Sequence, residues 1–117
     1  MKRLIAVFSL LLTASLLLTG GAPRIGNLDV TAAGTAEQLS STRIECFALT
    51  IQAKEDNTND VCIGDSTVLC ASEPGVMLEA RESWTPPSPD RRQHFDLSKI
   101  YVDAETNGEG VSYLCWQ

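Results

Sequence analysis

Basic side chains are scarce in this sequence. Its 117 residues carry 9 Lys and Arg against 15 Asp and Glu. Two of the basic residues, Lys2 and Arg3, stand at the start. From residue 22 onward the balance is 7 against 15, a net of −8. Such a surface repels a phosphate backbone, so nucleic-acid binding is disfavoured. Histidine is scarcer still, with His94 alone. The four cysteines include no C-x2-C pair; 15, 7 and 44 residues separate them in turn. Structural zinc usually needs close pairs, so zinc is disfavoured as well. No asparagine opens an N-x-[ST] sequon, and there is no coiled coil or long internal repeat. No segment after residue 22 carries a convincing helical period.

The start of the chain is organised differently from the rest. Lys2 and Arg3 precede Leu4 to Leu18, an apolar run broken only by Ser9, Thr13 and Ser15. Small residues follow, Thr19 to Ala22. That is the layout of a secretory signal peptide. The run is short for a membrane-spanning helix, which needs roughly 20 residues. If residues 4–18 are retained, they are the one route to a membrane. No cysteine follows the run, which argues against a lipoprotein anchor. Residues 1–21 are therefore expected to be a signal-like segment. Residues 22–36, rich in Gly, Ala and Thr, are expected to be a flexible arm.

Residues 37–117 read as one all-β domain. In "ECFALTIQAK", Phe47, Leu49, Ile51 and Ala53 alternate with Cys46, Ala48, Thr50 and Gln52. A period of two is a half-buried strand. "EDNTND" breaks it, since Asp and Asn favour turns. "DVCIG" and "TVLC" flank Asp65-Ser66, and "VMLEA" and "ESWTP" flank a turn near Arg81. "KIYVDAE" and "GVSYLCW" flank Asn107-Gly108, the strongest short hairpin signal. "PPSPDRRQH" cannot be a central strand, because proline has no backbone donor. Short strands at this spacing predict a compact antiparallel β-sandwich of jelly-roll or immunoglobulin-like size.

Few candidate sites emerge. Gly64-Asp65-Ser66 matches the nucleophile motif of one serine-esterase family. That family has an Asp three residues before its histidine, where this chain has Arg91. Turn chemistry is the better reading, and no catalytic residue is expected. Asp56 to Asp60 resembles a calcium loop, but the EF-hand needs Gly at position 6 and Glu at 12. Val61 and Thr67 stand there, so neither metal nor cofactor is expected. Cysteine pairing has three possible connectivities. A hairpin opposing Ile63 to Leu69 and Gly64 to Val68 would bring Cys62 to Cys70 and leave Cys46 for Cys115. Reduced thiols are the alternative if the start of the chain is not an export signal. Trp84, Arg91, Arg92 and His94 form the candidate interaction surface, through the Pro/Arg loop.

Several phrases resemble a known group. They are "LSST" at 39–42, "ALTIQAKEDNT" at 48–58, "IGDSTV" at 63–68 and "LSKIYVDAETNGEGVSYLCW" at 97–116. In this order they resemble small β-rich virion structural proteins and domains of tailed bacteriophages and prophages. The resemblance implies a non-enzymatic module that assembles or decorates a particle through protein partners, copies of itself among them. The chain departs from the group in its export-like start and its four cysteines. The group's "P-G-E-S" turn here reads Ala80-Arg81-Glu82-Ser83. The expected role is therefore a virion or surface-assembly component, in a virion or an extracellular or periplasmic setting. The alternative is a secreted bacterial binding module stapled by disulfides. Intact mass under non-reducing conditions should lack about 21 N-terminal residues and four hydrogens; a full-length reduced mass would refute export.

Overall fold

Alternation of apolar and polar residues builds two facing sheets. The computed structural model describes residues 22–87 and 94–117; the expected signal segment 1–21 and most of the Pro/Arg loop lie outside them. Strand β1 is Pro23–Asp29, β2 is Glu37–Gln38, β3 is Glu45–Cys46, β4 is Ala48–Ala53 and β5 is Val61–Gly64. Further along, β6 is Val76–Leu78, β7 is Ser83–Trp84, β8 is Phe95–Asp96, β9 is Tyr101–Ala104 and β10 is Gly110–Trp116. One four-stranded sheet has the order β1-β10-β4-β7, the other β2-β9-β5-β6, and β3 pairs with β8 alone. Every pairing is antiparallel. The fold is the expected all-β sandwich.

The core lies between the two sheets. Leu49, Ile51 and Ala53 of β4, with Val111 and Cys115 of β10, come from the first sheet. Val61 and Ile63 of β5, Leu78 of β6, and Val102 and Ala104 of β9 come from the second. Each large aliphatic side chain buried there contributes roughly 1.5–3 kcal/mol. Val30, Leu39, Ile44 and Leu97 close the ends of the cluster. Leu97 is held inward by a 3-10 turn, Leu97–Lys99, whose start is capped by the Asp96 carboxylate.

Four local readings change in three dimensions. Residues 23–29, read as arm, form a strand along β10 from Pro23–Trp116 to Asp29–Gly110. Their weak periodicity comes from Gly26 and Asn27. The Tyr113 ring lies over Gly26 and occupies the space that a Cβ would need. An aromatic ring covering a glycine on the neighbouring strand is a known way to hold such an edge. Phe47 is exposed, not inward. The chain bends between β3 and β4, which belong to different ladders, so the alternation changes phase and Cys46 turns inward.

The two remaining changes concern turns. Asn107-Gly108 does not close a hairpin: β9 and β10 lie in different sheets. Gly108 supplies the left-handed φ of 85°, and its N–H donates to the Val30 carbonyl. The turn at Arg81, φ 72°, likewise passes from β6 in one sheet to β7 in the other. "TVLC" is not a strand paired to "VCIG". Ile63 faces Val76 and Val102, not Leu69, and Cys62 faces Met77 and Asp103. Residues 65–75 are an excursion closed by the Leu69–Glu73 bridge.

Two disulfides staple this frame, Cys46–Cys115 and Cys62–Cys70, with Cα separations of 5.4 and 5.5 Å. The expected partners are bonded, although the hairpin register behind the second pair is absent. Cys46–Cys115 spans 69 residues and Cys62–Cys70 spans 8. Closing the longer loop removes more disorder from the unfolded chain. Replacing Cys46 and Cys115 by alanine is therefore expected to cost about 4 kcal/mol, against about 2.5 kcal/mol for Cys62 and Cys70. Urea unfolding of the two double variants measures the difference; equal losses would contradict the loop-length account.

Candidate interaction surface

The residues proposed from sequence do not form one cluster. Trp84 lies on β7, opposite Ile51, and packs against the core. His94 precedes β8 and faces the β3 side, with its Nδ1 3.8 Å from Glu45. Arg91 and Arg92 lie outside the described residues. Beside His94 is a cavity of about 440 Å³ lined by Arg24, Arg43, Ile44, Glu45 and Phe47. Within it Arg43 reaches Glu45 at 2.5 Å and approaches Asp96 at 3.9 Å. The Arg43 hydrogen bond and charge hold the Glu45 carboxyl below its ordinary pKa.

The two suspected chemical motifs are turns with inward duties. Asp65 Oδ1 accepts from the Thr67 N–H at 2.9 Å and from its hydroxyl at 2.5 Å. This Asx-type turn leads the chain out of β5, and the Thr67 hydroxyl holds the Asp65 pKa down. In the calcium-like loop, Asn57 points inward. Its Nδ2 donates to the Gly110 carbonyl at 2.8 Å, and its Oδ1 accepts from the Gly110 N–H at 3.1 Å. Among the described residues, no group of three or more His, Cys, Asp or Glu is placed to hold a metal.

Three buried polar residues escaped the sequence reading: Asn57, Asp103 and Glu109. Asp103 alternates with Val102 and Ala104, so it faces away from the sandwich core. Two loops fold over it there. Its Oδ1 accepts from the Gly34 N–H at 2.8 Å, and its Oδ2 from the Cys70 N–H at 2.9 Å. Glu109 accepts from the Thr58 N–H and hydroxyl, both at 2.6 Å, and from the Asn59 N–H. No sequence signal marked these acids, because their donors lie 33 to 69 residues away.

The outer face of the first sheet carries two of the four exposed large apolar side chains among the described residues, Ile25 and Trp116; Phe47 lies between β3 and β4, and Met77 on β6. The register places Pro23 beside Trp116 and Ala48, and Ile25 beside Leu114 and Thr50. These alternate with the inward residues of the same strands, so they share the outer face. Ile25 is 75% exposed and Trp116 39%. Farther along, Asn27, Ser112 and Gln52 are adjacent, and the stripe turns polar. This stripe adjoins the free edge of β1. No family model matches the chain, and neither a curated protein nor a solved structure does.

Glu109 sets an acid limit on stability. Burial raises its pKa, but the hydrogen bonds from Thr58 and Asn59 outweigh that and hold it below the ordinary value. A lowered folded pKa means stability that is present above the unfolded pKa, about 4.3. It is lost as pH falls through the folded value. Glu109→Gln is expected to lose roughly 2 kcal/mol at pH 7, on the scale of charge-assisted hydrogen bonds. The gap from the parent should narrow below about pH 4. Denaturant unfolding across pH checks this; a gap independent of pH would contradict it.

Proposed function

We propose that the domain is a non-enzymatic assembly module, a small phage-type component of a virion or of a surface array such as a decoration, tail or filament. The long exposed edge of β1, next to the Ile25, Leu114 and Trp116 stripe, carries this reading. An unpaired edge offers backbone donors and acceptors to another strand, and an adjoining apolar stripe adds area to the same contact. The order of phrases shared with virion β-domains points the same way.

A second reading is a secreted binding module. Its support is the pair of disulfides, which are compatible with an oxidising extracellular compartment. On that reading the partner meets the Pro/Arg loop. The two diverge in where the protein accumulates. Mass spectrometry of gradient-purified particles from cells carrying the native gene region should find the chain in stoichiometric copy number. Recovery solely as free protein in the medium would overturn the assembly reading in favour of the second.

A further inference from the structure

Six strands have an unpaired edge in the described fold, and they are unequal. Strands β2, β3, β7 and β8 have two residues each and β6 has three, whereas β1 has seven. Short edges are how proteins avoid unwanted pairing. Strand β1 lacks that protection. Its only proline is Pro23, at the first position, and no bulge interrupts its register with β10. At about 3.4 Å per residue it offers an edge of roughly 24 Å.

Charge selects the occupant. An acidic chain resists pairing with itself wherever acids meet. Strand β2 carries Glu37, and β7 follows Glu82 directly. Strand β1 has one Arg and one Asp, and Asp29 is already bound by Lys54 at 2.5 Å. Strand β6 carries no charge but has only three residues, so β1 is the long edge on which like charges need not meet.

We propose that two copies of this chain pair antiparallel along β1, joining their first sheets into one eight-stranded sheet. This deepens the assembly reading and takes its biological setting from it. Opposed residues of an antiparallel ladder share a face, so a two-fold axis perpendicular to the sheet allows only registers that preserve faces. The register that pairs all seven residues opposes Pro23 to Asp29, Arg24 to Leu28 and Ile25 to Asn27 of the copy. Gly26 then meets Gly26 on the axis, with the Tyr113 ring of each copy lying over its own glycine. The two Ile25 side chains become diagonal neighbours, which is within side-chain reach. The apolar stripes of both copies merge across the seam. A register centred on Arg24 or Asp29 would oppose like charges and pair fewer residues.

Sedimentation velocity of the full chain over a concentration series tests this. The parent should form a dimer that added salt strengthens, because screening reduces the repulsion of two acidic bodies. Ile25→Lys and, separately, Asn27→Lys should each weaken the dimer at least ten-fold while keeping the parent's circular dichroism. Both positions are exposed, so the two variants guard against a folding artefact. In Ile25→Cys/Asn27→Cys, the added thiols should cross-link chains under oxidising conditions, since opposed Cα atoms fall within disulfide range. A parent that stays monomeric overturns the proposal. So does association untouched by either lysine, as contact through residues 4–18 would give, or a dimer that fails to cross-link. A monomer that still enters particles sinks the pairing alone; a β1 dimer absent from particles sinks the assembly reading alone.

Discussion

The fold depends on one interlock, the docking of residues 54–59 against residues 105–110. Asn57 gives its side-chain amide to both polar groups of Gly110, as a neighbouring strand residue would. Glu109 takes the N–H groups of Thr58 and Asn59. Lys54 adds its own N–H to the Gly110 carbonyl. The crossing between the sheets is therefore held by hydrogen bonds although it belongs to neither ladder. Buried polar groups left unpaired would each cost about 1–3 kcal/mol. Among the described residues no buried side-chain polar atom lacks a partner. Because the crossing is fixed, β10 starts at Gly110 and can lie between β1 and β4.

A second polar anchor works on the outer face of the second sheet. Around Cys62 and Asp103 that face is covered by loop backbone, while Met77 in the same row stays exposed. Asp103 receives one N–H from the loop before β2 and one from the excursion after β5. Cys62–Cys70 ties that excursion to the strand directly beside Asp103. A carboxylate buried on the outer face and a short-loop disulfide thus share one task. They hold irregular backbone against a sheet that would otherwise be bare. A domain of this size has little core to spare, and such staples compensate.

How far the sequence was legible follows from range. Period-two alternation in "ALTIQA" marked β4 and its two faces, because a strand's faces are a local property. Turn chemistry at Asp65, Arg81 and Gly108 marked where the chain leaves a strand, but the hairpins read at Asp65 and Gly108 do not form. What local signals do not carry is the partner of each strand. The same Asn-Gly turn serves a hairpin or a passage between sheets, and the choice lies with Val30, Asn57 and Glu109, far away in the chain. Strand β1 was missed for the same reason. Gly26 and Asn27 spoil its pattern, and its strand character comes from Tyr113 and the β10 backbone. The cysteine partners were reached through a hairpin that does not exist; opposition of Cys62 to Asp103 placed Cys70 by another route.

The exposed stripe is a consequence of the same architecture. Strand β10 is central in its sheet, so both its faces must be occupied or wet. Its inner face carries Val111, Tyr113 and Cys115 into the core. Its outer face carries Leu114 and Trp116, and β1 adds Pro23 and Ile25 beside them. Sheets with one solvated face ordinarily carry polar residues there, and this one does so at Asn27, Ser112 and Gln52. The apolar half lies at the end where β1 begins and where the Cys46–Cys115 bridge makes β10 rigid. A contact built there would meet a strand already ordered by its neighbours, so little entropy remains to be lost on association. A cross-linked strand, a long edge and apolar area coincide at one end of one sheet, and the proposed assembly role rests on that coincidence.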